Sequence, residues 1–240
     1  MIQVIITHDC PDCGRANLVK NGQDYQGDQK FRCNDCGRCG TFDTTGRYTP
    51  ERQAEILRAY QERSSMRGIQ RTFGVARTTL ARWLKQTAAT QPTVAETLDA
   101  VRGDNVLELD ELWSFVTSKD NQRWVWIAFC RRTRQVVAFF SGDRSAASCR
   151  KLWARLPDAY RNCRTFSDFW NAYQNVFVTG NHRSVGKESG ETHHVERWNN
   201  TLRQRLARFV RKTLSFSKSD FYHELVLRLF IIRYNLECVS

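Results

Sequence analysis

Four cysteines in two C-x₂-C pairs constrain the start of the chain more than any other feature. Cys10 and Cys13 stand in CPDCG, and Cys33 and Cys36 stand in CNDCG. Each pair forms a tight knuckle that presents two thiolates, and two knuckles complete the tetrahedral shell of one ion. The spacing therefore predicts a zinc ribbon in residues 1–46. Structural Zn²⁺ would supply most of the stability of so small a unit.

Two alternatives to a zinc site stay open for these cysteines. The thiols could form two disulfides, which a reducing compartment disfavours, or they could be free and buried. His8 could substitute as a ligand, although four thiolates already complete the site. Cys39 is left over. Four scattered cysteines are predicted to be small core residues: Cys130, Cys149, Cys163 and Cys238.

Residues 47–90 show the apolar spacing of helices. One helix is predicted to begin at Pro50, and two more flank a turn at Gly74 between Ser65 and Gln86. This order indicates a helix-turn-helix domain, whose last helix projects so that it can enter a DNA major groove. Any three-helix packing unit could show the same spacing. The exposed donors of the last helix are the predicted DNA contacts: Arg77, Thr78, Thr79, Arg82 and Lys85.

A linker around Pro92, residues 91–104, precedes a second domain at 105–240. Its first three strand-forming runs are joined by short polar connectors, so they should form an antiparallel meander. The predicted elements are strands Val106–Val116, Arg123–Cys130 and Gln135–Phe140, helix Ala146–Leu156, and strand Cys163–Phe166. Helices follow. This order is that of a ribonuclease-H-like fold, of class α+β or α/β, in which the fourth strand lies beside the first.

The first of these strands, VLELDELWSFV, carries three acids in an apolar setting. An ionised carboxylate there needs a cation, a metal or several hydrogen-bond donors. Glu108 and Asp110 share one face of the strand and Glu111 lies on the other, because side chains alternate. One face could therefore present oxygens to a divalent cation. An edge strand with solvated acids is the alternative from this stretch alone.

Two more acids stand downstream. Asp168 follows the fourth strand, whose end should lie near Asp110, and Glu196 is in the first turn of a helix predicted from about Thr192 to Lys212. A first-turn Glu can also serve only to favour its helix N-terminus. Three carboxylates can hold two Mg²⁺ or Mn²⁺ ions, which activate a water or a 3′-hydroxyl for attack on a phosphodiester. Asp110 would bridge both ions, and Asp168 and Glu196 would each complete one shell.

The helix that carries Glu196 has an apolar and a polar side. Its residues expected to pack inward are Val195, Trp198 or Asn199, Leu202, Leu206, Phe209 and Val210. Its predicted DNA contacts, which include a basic stripe, are Asn200, Arg203, Arg205, Arg208, Arg211 and Lys212. A last helix, from about Asp220 to Leu236, should bury Phe221, Leu225, Leu229, Ile232 and Tyr234.

The charge of the chain points to a polyanion. The formal net charge is +12, and the excess falls into two blocks, one at residues 51–92 and one at 163–240. Double-stranded DNA is the expected partner, although basic residues also keep a protein soluble. No apolar run approaches the roughly 18 residues of a membrane span, and the start of the chain does not resemble a signal peptide. We therefore expect no membrane contact, and a place in the cytoplasm.

Five motifs together resemble the transposases of the insertion sequence 1 family, prokaryotic enzymes with a DDE active site. They are CPDC with CNDC, GVARTTLARWLK, LDELWSFV, SDFWNAY and HVERWNNTLRQRLARFVRKTLSFSKS. The resemblance implies Mg²⁺-dependent cleavage and strand transfer at terminal inverted repeats, with Asp110, Asp168 and Glu196 as the triad. It also implies that the ribbon and the helix-turn-helix recognise those ends. The active form should be at least a homodimer, because two element ends must be joined together.

Two different functions fit part of this pattern. A DNA-binding regulator would need the ribbon and the helix-turn-helix but has no physical need for three acids. A nuclease or resolvase of the same fold would use the metal ions without rejoining DNA. Strand-transfer activity separates these possibilities.

Overall fold

The computed structural model describes residues 9–25, 27–41, 48–178 and 180–239. The chain forms two compact units, Met1–Glu55 and Ile56–Ser240. His8 lies outside the described residues, as does the predicted boundary between residues 46 and 47.

The first unit contains a small antiparallel sheet. Its strands are β1 (Leu18–Gln23), β2 (Gln29–Cys33) and β3 (Cys39–Gly40), in the order β1-β2-β3. The strands bury little of their surface except at Cys33, so apolar burial contributes little to this sheet. The cysteine cluster described below is therefore the main candidate for what stabilises it.

Three helices follow in the order that the apolar spacing predicts. They are α1 (Pro50–Tyr60), α2 (Met66–Phe73) and α3 (Arg77–Thr90). Ser65 caps α2 by accepting a hydrogen bond from the Gly68 N–H, and Gly74 ends it with a left-handed φ of 70°. That φ favours glycine because it lacks a Cβ. Helices α2 and α3 belong to the same compact unit as the large sheet.

The large sheet has five strands in the order β6-β5-β4-β7-β8. They are β4 (Val106–Val116), β5 (Ser118–Cys130), β6 (Val136–Gly142), β7 (Arg164–Ser167) and β8 (His182–Ser184). Strands β4, β5 and β6 form the predicted antiparallel meander, and β7 pairs parallel with β4, which confirms the predicted neighbour.

Two parts of the sheet differ from the sequence expectation. Residues Ser118–Gln122, predicted as a connector, begin β5, because the chain reverses sharply at Thr117 with a φ of 66°. In a polar, glycine-rich stretch to which the sequence pattern assigns no strand, His182–Ser184 forms β8 by pairing parallel with β7. Both additions depend on pairing partners that local hydrophobicity does not encode.

The helices around this sheet bury its apolar faces. They are α4 (Ala146–Arg155), α5 (Asp158–Arg161), α6 (Asn171–Val176), α7 (His193–Arg205) and α8 (Asp220–Val239). The core between the sheet, α4 and α6 includes Leu107, Trp126, Leu152 and Tyr173, which are all fully buried. Short 3₁₀ turns at Ala95–Thr97, Lys187–Ser189 and Ala207–Phe209 complete the fold.

Helix α7 is shorter than predicted. It ends at Arg205 because Leu206 adopts an extended conformation, with φ −113° and ψ 108°, and is buried. A 3₁₀ turn follows, and Arg203 donates a 2.8 Å hydrogen bond to the Phe209 carbonyl. The chain therefore folds back at a residue that helical periodicity alone would place inside the helix.

Two predictions of core residues are wrong. Phe221 is 57% exposed, and the ammonium group of Lys85 lies 5.3 Å from its ring centroid. Cys238 is also exposed, because it lies in the last turn of α8. Cys130, Cys149 and Cys163 are buried as predicted.

The segment predicted as a linker is bound to the sheet domain by buried polar side chains. Gln135 donates to the Thr97 carbonyl at 2.8 Å and accepts from the Asp99 N–H at 3.0 Å. Asn235 donates to the Thr97 hydroxyl at 2.9 Å and also bonds the backbone of Val136. Each of these buried groups has a partner, so the segment is anchored without a large desolvation penalty. The predicted domain limits stay predictions.

None of the helices in the described chain combines the length and the apolar character that crossing a bilayer requires.

A buried histidine should make the stability of the second unit depend on pH. His223 is 1% exposed, its Nδ1 lies 2.9 Å from the Ser217 hydroxyl, and its Nε2 has no partner among the described residues. Burial, and then the charge of Arg208, lower the pKa of His223 to about 4. The unfolded state therefore takes up a proton at higher pH than the folded state.

We expect this difference to cost up to about 3 kcal/mol of stability as pH falls from about 6.5 to about 4. Denaturant unfolding of the wild type and of His223→Asn, measured across that range, checks it. The variant should lose less stability than the wild type on acidification. The control His193→Asn, which alters an exposed histidine, should follow the wild type. Equal slopes for the wild type and His223→Asn would contradict the assignment.

Candidate active site

Asp110 and Asp168 lie at the same level of two neighbouring parallel strands. Strand β4 pairs with β7 in a register that places Glu108 beside Phe166. Continuing this register by two residues brings Asp110 level with Asp168, which follows the last residue of β7. Strand pairing thus places both acids at one end of the parallel pair.

Helix α7, which carries Glu196, is held to β4 by the carboxylate of Glu108. This carboxylate is fully buried, and its Oε2 accepts hydrogen bonds from the backbone N–H groups of His194 and Val195, both at 2.9 Å. Its Oε1 accepts a 2.8 Å hydrogen bond from Arg131 Nε and lies 2.6 Å from His194 Nδ1. The first-turn amides of a helix lack intrahelical partners, and Glu108 satisfies two of them.

Glu108 replaces the cap that the helix itself lacks. Thr192 occupies the N-cap position of α7 but makes no side-chain hydrogen bond to the helix backbone. A carboxylate at this end is further stabilised by the positive pole of the helix dipole. On the next turns of α7, Asn199 Nδ2 donates to Asp110 Oδ2 at 2.7 Å. Two acids of β4 therefore fix the helix that presents Glu196.

The carboxyl group of Asp110 has an unfavourable electrostatic environment. Burial, and next the negative charge of Glu111, raise its pKa to about 7, and the charges of Asp168 and Glu196 act in the same direction. A 2.9 Å hydrogen bond from the Glu111 N–H only partly offsets this. Charges affect a pKa at short range, so Asp168 and Glu196 lie near enough to Asp110 to act on its carboxyl group. In the described chain none of these three acids forms an ion pair, so no basic side chain offsets the repulsion between them.

The side chain of Glu111 lies on the other face of β4 from Asp110 and has hydrogen-bond partners of its own. Arg144 donates to Glu111 Oε1 at 2.5 Å, and the Tyr173 hydroxyl donates to Oε2 at 2.9 Å. Burial raises the pKa of Glu111, and the Arg144 hydrogen bond opposes that shift. The guanidinium of Arg144 also stacks 4.1 Å from the ring centroid of Trp170, whose backbone N–H donates to Asp168 Oδ1 at 2.9 Å. This chain of contacts connects the two strands that carry the aspartates.

The three carboxylates form a donor set that fits divalent cations. They are hard oxygen ligands, and a cation would relieve the repulsion that raises the pKa of Asp110. The oxygens of these three acids do not all lie within 4.8 Å of one another, a spacing that, among the described residues, the four cysteine sulfurs reach.

The four N-terminal cysteines converge on one point. Cys10 Sγ lies 3.5 Å from Cys36 Sγ, and Cys13 Sγ lies 3.6 Å from Cys33 Sγ. In each knuckle the glycine after the second cysteine donates its N–H to the first cysteine's carbonyl, at 2.8 and 2.9 Å. Burial raises the pKa of the Cys10 thiol, but hydrogen bonds from the knuckle backbone and from neighbouring thiols outweigh it and lower that pKa to about 7. Burial and the neighbouring thiols raise the pKa of Cys36 to about 12, so the thiols compete for protons. The cluster is thus built to hold a metal ion, and Cys39 lies outside it.

Two of the arginines predicted to contact DNA make contacts within the protein. Arg203 donates to the carbonyls of Trp113 and Phe209, at 3.1 and 2.8 Å. Arg205 pairs with Glu62 at 2.5 Å and with Glu237 at 3.3 Å. These contacts hold the end of α7 in place and engage donors of the predicted phosphate track, whose contact with DNA stays a prediction.

Arg208 is also engaged. It donates to the hydroxyls of Tyr60 and Ser217 and to the Tyr222 carbonyl, and its side chain is half-buried. These acceptors are neutral, so its place in the basic stripe stays a prediction. Three predicted contacts of this region are exposed: Asn200, Arg211 and Lys212.

The predicted DNA-contact residues of α3 lie on more than one side of the helix. Arg82 and Thr78 are exposed, and Thr79 is half-buried. Lys85 lies over the rings of Phe221 and Tyr222 at the start of α8. Arg77 lies on the same side of α3, two turns before Lys85, and lines a cavity between α3 and the segment after α7. Arg77 and Lys85 are exposed like Thr78 and Arg82, so all five predicted DNA contacts of α3 stay predictions.

Several residues that build the site have no clear signal in the sequence. Helical spacing predicts Asn199 only as an alternative core residue, no motif contains Arg144, and SDFWNAY contains Tyr173 without indicating its role. The signal that could have found the role of Glu108 is its position two residues before Asp110, on the same strand face. A buried acid on that face needs donors, and the nearest available ones are the free amides of an incoming helix.

Comparison with known families matches both parts of the chain. A profile described as IS1 transposase matches residues 105–236, more than half of the chain. A second profile, a zinc ribbon described as the InsA N-terminal domain, matches residues 1–37.

Individual relatives give the same result for the second part. The insertion element iso-IS1n protein InsB of Shigella dysenteriae is 41% identical over 126 residues, which cover 52% of this chain and 93% of that protein. The insertion element IS1 protein InsB of Shigella flexneri is 38% identical over 120 residues, or 50% of this chain and 88% of that protein. The insertion element IS1 4 protein InsB of Escherichia coli (strain K12) is 37% identical over 120 residues, or 50% of this chain and 70% of that protein.

The IS1 transposase profile spans the strands and the helix that carry Asp110, Asp168 and Glu196. The chain therefore belongs to the IS1 transposase family.

Proposed function

We propose that the protein binds the terminal inverted repeats of an insertion sequence and catalyses metal-dependent strand cleavage and strand transfer. The observation that carries this proposal is the strand register and helix docking around Asp110, Asp168 and Glu196. Two of these acids lie level on adjacent strands, and the third is on a helix docked to the same strand. After burial and the charge of Glu111, the charges of Asp168 and Glu196 also raise the pKa of Asp110. A protein that only bound DNA would be more stable without that repulsion.

In this proposal Asp110, Asp168 and Glu196 would hold divalent ions, Mg²⁺ or Mn²⁺. When bound, the ions would activate an oxygen nucleophile and offset charge on the leaving oxygen. The protein's own part is positional. Asn199 and the Glu111 N–H orient the Asp110 carboxylate, and Glu108 fixes the helix that carries Glu196.

The rest of the fold supports the same function. The five-stranded order, with three antiparallel strands and a parallel fourth beside the first, is consistent with a ribonuclease-H-like catalytic domain. Helices α2 and α3 are consistent with a helix-turn-helix whose exposed Thr78 and Arg82 contact the repeat. The exposed Arg211 and Lys212 would contact phosphates. Joining two ends requires at least two protein copies.

Asp168→Asn tests the catalytic proposal. Asparagine keeps the oxygen that accepts the Trp170 N–H but loses the charge that a metal ion needs, so we expect cleavage and joining to disappear while DNA affinity stays near the wild-type value. A strand-transfer assay with Mg²⁺ and an oligonucleotide bearing the terminal repeat measures the first, and a gel shift the second.

Asp120→Asn, which removes an exposed acid from β5, is the matched control and should behave as the wild type. Normal joining by Asp168→Asn would refute the triad. Binding without cleavage by the wild type would identify a regulator, and cleavage without joining a nuclease or resolvase.

Glu108→Gln tests whether docking of α7 matters for activity. Glutamine can still accept from the α7 amides but removes the charge that faces Arg131 and His194, so α7 should be held less firmly. We expect activity to fall by about 10–100-fold, an effect typical of residues that orient metal ligands. Glu191→Gln is the matched control, because Glu191 also binds Arg131, at 2.6 Å, but makes no contact with the α7 amides. Equal losses in both variants, measured by cleavage at saturating Mg²⁺ and DNA, would assign the effect to Arg131 instead.

The cysteine cluster should need structural zinc to fold. Cys36→Ser removes one of four ligands, so we expect loss of bound zinc and protease sensitivity within residues 9–41, together with weaker binding to the terminal repeat. Zinc content, limited proteolysis and a gel shift measure these effects. Cys39→Ser alters the exposed fifth cysteine of the same sheet and should change none of them. Full zinc content in Cys36→Ser would contradict a four-thiolate site.

A further inference from the structure

A basic groove lies between the helices α2 and α3 and the segment Leu206–Tyr222. It encloses a cavity of about 470 Å³, within the range of about 300–1,000 Å³ that is usual for ligand-binding clefts. Its charged side chains are Arg67 on α2, Arg77 on α3, Arg208 after α7 and Lys218 before α8. All of these elements belong to the compact unit Ile56–Ser240.

The positive charge of the basic groove is uncompensated. Its lining contains four basic residues and no acidic residue. Arg67, Arg77 and Lys218 take part in none of the ion pairs of the described chain. The acids on adjoining elements are bound elsewhere: Glu62 pairs with Arg205 and Arg233, and Asp220 pairs with Arg123. Such a concentration of one charge sign favours an anionic ligand.

Arg208 strengthens this conclusion because its charge is half-buried. Its guanidinium donates to neutral acceptors, namely the hydroxyls of Tyr60 and Ser217 and the Tyr222 carbonyl. These hydrogen bonds fix its position but leave its charge without a counterion. A partly desolvated cation in this state gains from a bound anion.

The groove also has aromatic walls, which distinguish a nucleic acid strand from a simple anion. Phe216 and Tyr222 line it with half-buried rings, whereas Tyr60 is 3% exposed and lies under Arg208. The Phe216 ring is supported by Phe115 of β4 at a centroid distance of 5.5 Å. Fixed aromatic rings beside a row of cations are the usual composition of surfaces that bind single-stranded nucleic acid. The enclosed volume suits a backbone segment with an unpaired nucleotide and is too small for a duplex.

We propose that the basic groove binds one DNA strand, with its phosphates on Arg67, Arg77 and Lys218 and a base against the aromatic wall. This proposal rests on the proposed function in that it gives the DNA of the transposition reaction a second contact beside the catalytic carboxylates. Its physical basis, the cations and aromatic rings, is separate from the carboxylates.

The test uses the full chain without divalent metal, so it does not depend on cleavage. Arg67→Gln/Lys218→Gln is compared with the wild type for binding of a fluorescein-labelled single-stranded 12-mer of thymidylate, by anisotropy at several salt concentrations. Loss of two phosphate contacts should weaken binding and make the slope of log K against log salt shallower by about 1.4. Arg150→Gln/Lys151→Gln removes two exposed charges from α4 and should keep the wild-type slope.

Photocrosslinking of the same 12-mer, carrying 5-iodouracil, gives an independent localisation. We expect crosslinked peptides that contain Phe216 or Tyr222. Equal slopes for the groove variant and the α4 variant, or crosslinks that fall only outside the groove, would overturn the proposal. If the groove variant loses binding but the wild type cannot join DNA, the groove proposal is supported and the proposed strand transfer is refuted. If the wild type joins DNA normally but the groove variant binds as the wild type does, strand transfer is supported and the groove proposal is refuted.

Discussion

The structure depends on one buried carboxylate that joins a strand to a helix. Glu108 is 0% exposed, a position in which an unpaired charge would cost several kcal/mol. It is tolerated because two backbone amides of α7, Arg131 and His194 all face it. The same contacts supply the cap that Thr192 does not provide. Neither the strand nor the helix satisfies its polar groups alone, so the two elements fold as one structural unit.

This coupling explains how three mutually repelling acids can remain close together. Asp110 lies two residues from Glu108 on the same strand face, and its separation from Glu196 is therefore set by a contact outside the triad. Asp168 is fixed from the other side, because its Trp170 neighbour stacks on Arg144 and Arg144 binds Glu111. Contacts on both sides therefore hold these acids in place against the repulsion that, together with burial, raises the pKa of Asp110. Such preorganisation is what a pair of metal ions requires from its ligands.

The sequence predicts the elements well and their mutual contacts poorly, and the reason is physical. Strand runs, helix periods and cysteine spacing are local patterns, so β4, the meander, α2, α3 and the cysteine cluster follow from them. Glu108 meets its donors 86 and 87 positions away, a distance over which no local pattern operates. For the same reason, helical periodicity predicts that α7 continues beyond Leu206 and that Phe221 lies in the core, and both predictions are wrong.

The basic residues also have contacts that a local sequence pattern does not predict, and these contacts decide where positive charge stays free. A row of arginines after Glu196 predicts a phosphate track, but side-chain charge alone does not say which carboxylates fold against it. Glu62 and Glu237 neutralise Arg205, whereas Arg208 meets only neutral acceptors. Internal pairing therefore removes positive charge from one part of the track and leaves it concentrated beside Arg67, Arg77 and Lys218. The free charge, rather than the total charge, determines where a polyanion can bind, and in this fold that charge lines an enclosed groove with aromatic walls.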